Sequence, residues 1–194
     1  MLIVGIDAAV VEADLVGGLL ACPACGARLR PWGHAVDREI RLGAGSERRR
    51  FRRSICAGCA VTHVLVPVDT LWRRRDAVEV IGAALVAKAG GAGHRSIAKT
   101  LGRPQATVRG WLRRFALRAA VLREHFVRWA HALDPGGARR SSGGTPFFDA
   151  VDAVGVLEMV AVRRFGPRPV WSLVSVVTSG GLLCNTNRLG APPV

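Results

Sequence analysis

The residues of this chain best suited to chemistry are four cysteines in two pairs, Cys22-Pro23-Ala24-Cys25 and Cys56-Ala57-Gly58-Cys59. A Cys-x-x-Cys pair places two sulfurs on one tight turn, and its glycine or proline lets backbone amides face them. Two such pairs suit a single tetrahedral Zn²⁺ held by four thiolates. Four sulfurs close the coordination sphere and leave no position for water, so the expected zinc is structural and not catalytic. Disulfides are the competing use, favoured in oxidising compartments. The N-terminal MLIVGIDAAVVEAD has no basic leader, and acids interrupt its apolar run. The apolar stretches near 77–87 and 170–183 are too short or too interrupted to span a bilayer. The expectation is therefore a cytoplasmic, nucleoid-associated protein with no membrane partner and reduced thiols. His34 and His63 read as strand histidines with local hydrogen bonds, and Cys184 as a small apolar residue.

Charge supplies the second chemistry. The formal net charge is +14, nearly all from arginine, with Lys88 and Lys99 the only lysines. A GC-rich genome would account for arginine over lysine but not for the net excess. Residues 1–21 carry three acids (Asp7, Glu12, Asp14) and no Lys or Arg, so positive charge falls in the segments that hold motifs. Such a field attracts polyanions, nucleic acid before anionic membrane. Between the cysteine pairs lie Arg28, Arg30, Arg38, Arg41, Arg48, Arg49, Arg50, Arg52 and Arg53. Side chains alternate along a strand, so RRRFRR cannot bury its charges on both faces. Arg49, Arg50, Arg52 and Arg53 read as phosphate contacts; the plain alternative is an edge strand protected by charge. Phe51 either enters a small core or stacks on a base.

A third constellation lies at His94–Phe115, HRSIAKTLGRPQATVRGWLRRF. Ile97, Ala98 and Leu101 share one helical face, and Val108, Trp111, Leu112 and Phe115 share another. Gly102 suits a left-handed helix stop, and Pro104 the start of the next helix. Two helices joined by a tight turn, the second basic, form a helix-turn-helix unit. Gln105, Ala106, Arg109 and Arg113 project away from the apolar side and are the candidates for base edges. Arg95, Ser96, Thr107 and Arg114 are candidates for phosphates. Gly110 is unusual inside a helix, costing about 1 kcal/mol against alanine.

These residues need elements to hold them. Residues 1–21 read as a lead-in with a strand-like start and a short helical pattern. Residues 22–68 read as a zinc ribbon, although 30 residues separate the cysteine pairs where about 15–20 is usual. Its strands are Leu29 to Val36, Arg38 to Leu42, Arg49 to Ile55 and Val61 to Val66, with a turn at Gly43–Ser46. Residues 72–133 read as the helix-turn-helix domain, with a first helix from Asp76 through Ala89. Phe115, Ala119, Leu122, Phe126, Trp129 and Leu133 recur in a heptad-like stripe. That stripe either packs within the chain or zips a homodimer through Phe115, Leu122, Phe126, Trp129 and Leu133. Residues 134–146 read as a flexible linker. Residues 147–194 read as a tail: a helix from Phe147 to Phe165, then a strand-like Val170 to Thr178 pairing back through Leu182–Cys184. The expected fold is mainly α with a small β zinc ribbon, then a three- to four-helix helix-turn-helix domain and a small α/β tail.

CPACG, the arginine-rich strand, CAGC-AVTHVLVP and the helix-turn-helix together resemble the N-terminal DNA-recognition part of bacterial insertion-sequence transposases. They resemble more closely the small bacterial zinc-ribbon plus helix-turn-helix proteins of unknown function related to them. The resemblance covers about residues 10–133 and departs from the family at Arg103, where an apolar residue is usual, and at Gly110. It implies a sequence-specific binder of double-stranded DNA. Transposases of that kind cut with three carboxylates spread over an RNase H-like domain holding two metal ions. Here no room remains for such a domain after residue 133, and Asp149, Asp152 and Glu158 lie on one predicted helix. The expectation is no enzyme, but an accessory or stand-alone regulator. An adaptor that recruits a separate transposase or integrase, and an RNA-binding zinc protein, remain the alternatives.

Overall fold

A computed structural model describes residues 1–136, 143–184 and 189. The chain divides into two compact units, Met1–Ala77 and Val78–Val194. Among the described residues, the first holds one helix and six strands, and the second holds six helices.

The first unit starts with β1 (Leu2–Val4) and α1 (Ala8–Val16), followed by β2 (Leu29–His34), β3 (Arg38–Arg41), β4 (Ser46–Arg49), β5 (Arg52–Cys56) and β6 (Thr62–Pro67). Four of these make one sheet in the order β1-β6-β5-β2, and β3 and β4 form a separate hairpin. β6 lies antiparallel to β5 and β5 to β2, whereas β1 adds parallel to β6, Leu2 opposite Leu65. Residues 1–21 are thus no lead-in: they supply a strand and the helix that covers the sheet. α1 begins where the Asp7 carboxylate accepts from the Ala9 amide at 2.8 Å and the Val10 amide at 3.2 Å. Val11 and Leu15 of α1 share a core with Val4, Leu29, Leu65 and the sulfur-bearing Cys22 and Cys56. The expected return strand Arg49 to Ile55 is broken between β4 and β5. There Phe51 turns into the interior, 4% exposed, with the Arg38 guanidinium 4.5 Å from its ring centre. It is a core residue and offers no face to a base.

Residues 68–77 also belong to this unit. The Arg41 and Asp76 side chains pair at 2.6 Å, and the Ala77 amide donates to the Arg41 carbonyl at 2.9 Å. Asp76 is therefore spent on the hairpin, and the next helix starts two residues later than its sequence pattern suggests.

The second unit contains α2 (Val78–Ala89), α3 (His94–Leu101), α4 (Gln105–Ala116), α5 (Ala119–Leu133), α6 (Pro146–Phe165) and α7 (Val170–Val177). α5 and α6 run along each other, and α6 also packs on α2, α4 and α7. One expectation fails here. Val170 to Thr178 is a helix and not a strand. β-branched residues favour strands, but Trp171, Val174, Ser175 and Thr178 recur at helical spacing, and all four are buried. The stretch 147–184 is likewise no α/β tail, since α6 and α7 complete the helical core. The heptad-like stripe packs within the chain, one of the two uses expected for it. Phe115, Leu122 and Phe126 are fully buried, and Phe147 of α6 meets the Phe115 ring edge-on at 4.8 Å. Trp129 and Leu133 are half-buried. Phe115, Leu122 and Phe126 of the stripe are thus used inside the chain. Most of the expected linker, residues 137–142, and residues 185–188 and 190–194 lie outside the described residues.

One close approach locks this core. A Cβ placed on Gly82 of α2 would lie 2.1 Å from Trp171 ring atoms, so the indole rests directly on bare helix backbone. Gly82→Ala should gain about 1 kcal/mol of helix propensity but lose about 1–3 kcal/mol to overpacking. A lower melting temperature for the helical unit, with the first unit unchanged, is the expected result by circular dichroism. An unchanged or higher melting temperature would show that the contact is loose.

A second expectation concerns acid. His125 of α5 is 1% exposed and its Nε2 donates to the Val177 carbonyl at 2.7 Å. Burial pushes its pKa down, the carbonyl partly opposes this, and Arg128 and Arg118 add to the lowering. The native form is neutral, while the unfolded chain takes up a proton near the ordinary histidine value of about 6.5. Stability is thus present above that value and lost as pH falls below it. Thermal melts at pH 5 and pH 7.5 should show the loss in wild type, and His125→Gln should reduce it.

Candidate functional site

The two cysteine turns are built alike. The Cys22 amide donates to the Ala27 carbonyl at 2.8 Å, and the Cys56 amide to the Val61 carbonyl at 3.0 Å, each five residues on. The residue after the second cysteine is left-handed in both, Gly26 at φ 75° and Ala60 at φ 57°. Amides then aim at sulfur: Ala24 at Cys22 Sγ (3.4 Å), and Gly58 and Cys59 at Cys56 Sγ (3.3 and 3.4 Å). A Cβ on Gly58 would come within 2.9 Å of the Ala27 Cβ. Only glycine lets the two turns approach this closely.

The outcome is one cluster, with the sulfurs of Cys22, Cys25, Cys56 and Cys59 all within 4.8 Å of one another. Cys22 and Cys59 lie 3.8 Å apart and Cys25 and Cys56 3.4 Å. A tetrahedral ion with bonds of about 2.3 Å needs sulfur separations of about 3.8 Å. The four cysteines fit a single metal ion. Their proton affinities point the same way. The Cys59 and Gly58 amides pull the Cys56 thiol down to about 6 against the opposing effect of burial. The Val61 amide also pulls on Cys59, but the sulfurs of Cys56, Cys25 and Cys22, with burial, push that thiol up to about 12. Four thiolates cannot crowd together uncompensated, and a divalent cation would supply the missing charge.

His63 completes the site from β6. Its Nε2 lies 3.3 Å from Cys22 Sγ, an outer contact of the kind that orients a ligand and spreads its charge. Its signal in the sequence was only a histidine four residues past Cys59. Asp149, Asp152 and Glu158 all sit on α6. Among the described residues, the four cysteines are the group that could share an ion.

The candidate nucleic-acid residues divide. In the second unit, α3 ends at Gly102, left-handed at φ 60°, ψ 39°, and Pro104 caps α4. Ile97, Ala98, Val108, Trp111, Leu112 and Phe115 are buried, while Gln105, Ala106, Arg109 and Arg113 form an exposed face of α4. Arg95 and Ser96 are exposed and Thr107 is half-buried. Arg114 instead folds back along its own helix, its Nη1 donating to the Gly110 carbonyl at 3.2 Å. That contact occupies the space a side chain at Gly110 would enter, since a Cβ there would lie 3.0 Å from the same Nη1.

In the first unit, two of the four expected phosphate contacts are structural. Arg49 makes a two-pronged pair with Asp69, both contacts at 2.7 Å, and also meets Glu47. The Asp69 carboxylate raises its pKa against the effect of burial. Arg52 makes a two-pronged pair with Glu12 at 2.6 and 2.9 Å. The acids lie 20 and 40 residues away in sequence, so strand alternation alone could not pair them with these arginines. Arg50 is exposed with Asp37 at 3.5 Å, and Arg53 is half-buried.

Comparison with known protein families, curated proteins and solved structures finds no match. No helix among the described residues is long and apolar enough to cross a membrane.

Metal stoichiometry tests the cluster. Native mass spectrometry should find one divalent ion per chain, and Cys56→Ser should lose it. Chelation should unfold the first unit while most helical circular dichroism persists; full retention of strand signal without metal would refute a structural role. His63→Leu should weaken metal binding by about 10- to 100-fold.

Proposed function

We propose that this chain is a sequence-specific binder of double-stranded DNA, built as a zinc ribbon followed by a helix-turn-helix domain. The observation that carries the reading is the surface of α3 and α4. From His94 to Ala116 there is no carboxylate, while Arg95, Lys99, Arg109 and Arg113 are exposed. The apolar residues of both helices face inward, and the left-handed Gly102 sets a tight turn between them. A short basic helix presented in this way suits a major groove. Arg109 and Arg113 are the proposed guanine contacts, Gln105 and Ala106 read adjacent base edges, and Arg95 and Ser96 meet phosphates. Zn²⁺ is the ion the four-thiolate set favours, since thiolate ligands and tetrahedral geometry suit it. It would hold the first unit together and take no part in a reaction. The chain acts at the nucleoid as a regulator, or as an accessory that brings a separate transposase or integrase to its site.

Selection from a random duplex library should yield a preferred site whose affinity falls steeply with salt. Arg109→Ala should cost about 1–3 kcal/mol on that site with the melting temperature unchanged. Arg49→Ala should instead destabilise the first unit, because it leaves Asp69 unpaired. Selection that returns no preferred sequence, or unchanged affinity in Arg109→Ala, would refute the reading.

A further inference from the structure

We propose that the edge of the four-stranded sheet around Trp32 takes an unpaired nucleobase of a single strand. The proposal goes with the nucleic-acid reading of α4 but stands on different residues. Trp32 is 52% exposed, whereas Trp111 and Trp171 are 3% and 5% exposed. A bare indole on a strand is a poor use of the most apolar large side chain unless something covers it. The exposure is also built and not frayed. Pro31 opposes Ser54 and His34 opposes Arg52, so β2 holds Trp32 and Gly33 where β5 holds Arg53 alone. This bulge depends on Gly33 at φ 73°, and bulges of this kind re-aim a side chain at sheet edges. Arg52 clamps it: while paired with Glu12, its Nη1 donates to the Gly33 carbonyl at 2.7 Å. An arginine expected on phosphate thus serves to hold the tryptophan out.

The charge around Trp32 identifies the occupant. No carboxylate occurs on β2, β5 or β6. Arg30 stands two residues before Trp32 on the same strand, hence on the same side of the sheet by the pleat. Arg53 lies across from the bulge. Neither arginine has an acidic partner among the described residues. A flat aromatic ring between two guanidinium groups suits a base on the ring and phosphates on either side. An acidic peptide would satisfy the arginines but leave the indole without a flat partner. A duplex keeps its bases stacked and would leave it equally bare.

The test uses the full-length, metal-loaded protein and two probes: a blunt duplex, and single-stranded oligo-dT. Anisotropy titrations should show oligo-dT bound about tenfold more tightly by wild type than by Trp32→Ala, the gain expected from stacking one base on one ring. Trp32→Ala should leave blunt-duplex affinity unchanged, and Trp32→Phe should retain most of the gain on oligo-dT. Oligo-dT should quench wild-type tryptophan fluorescence but not that of Trp32→Phe. Arg109→Ala should weaken the duplex and leave oligo-dT binding unchanged. A wild-type protein that binds oligo-dT no more tightly than Trp32→Ala overturns this proposal and leaves the α4 reading standing. Oligo-dT binding through Trp32 without duplex recognition does the reverse. Equal losses on both probes in Trp32→Ala, or competition by polyglutamate as effective as by oligo-dT, also overturns it.

Discussion

Four sulfurs crowded within 4.8 Å set the terms for the whole first unit. Cys22 and Cys56 are core residues as well as ligand candidates, packed with Leu29, Leu65 and the inner face of α1. The two turns meet only because Gly58 has no side chain where Ala27 stands. Cluster and sheet are therefore one object: whatever disperses the sulfurs also opens the core beside them. A core of this size is marginal by itself. A cation that neutralises the thiolates would add its binding free energy to folding.

The arginines show how one residue type serves opposite purposes. Arg49 and Arg52 face carboxylates of Asp69 and Glu12 and fix chain segments that are remote in sequence. Two-pronged pairs with half-shielded geometry hold better than ordinary surface pairs. Arg30, Arg53, Arg109 and Arg113 are left for solvent or a partner. What divides the groups is the location of the few acids, because every carboxylate used internally withdraws one cation from the outward field. Each such pair removes one cation and one anion together, so the net charge of +14 is unchanged and pairing decides only which arginines a polyanion would meet.

In the second unit, backbone proximity does what charge does in the first. The Trp171 indole over Gly82, and the burial of Phe115, Leu122 and Phe126 beside α6, make α7 and α6 part of the support for α4. Arg118 adds a polar tie where α4 ends: the residue is 8% exposed and its Nη1 donates to the Gly181 carbonyl at 2.7 Å. The face of α4 is therefore presented by a core that reaches well beyond the two helices around Gly102.

Much of this was legible in the residues alone. The cysteine pairs, the left-handed stop at Gly102, the apolar faces of α3 and α4, and the strands around the arginine run follow from local rules: spacing, turn chemistry and periodicity. The roles of residues 1–21, Arg49, Arg52, the stripe through Phe126 and the helix α7 did not follow. Each depends on a partner 20 or more residues away: β6 for β1, Asp69 and Glu12 for the arginines, α6 for the stripe, Gly82 for Trp171. Sequence determined the local conformations and the sulfur chemistry, because those are settled within a few bonds. Tertiary structure alone decided which charges and apolar faces stay free, since neutralisation and burial belong to pairs of surfaces and not to single segments.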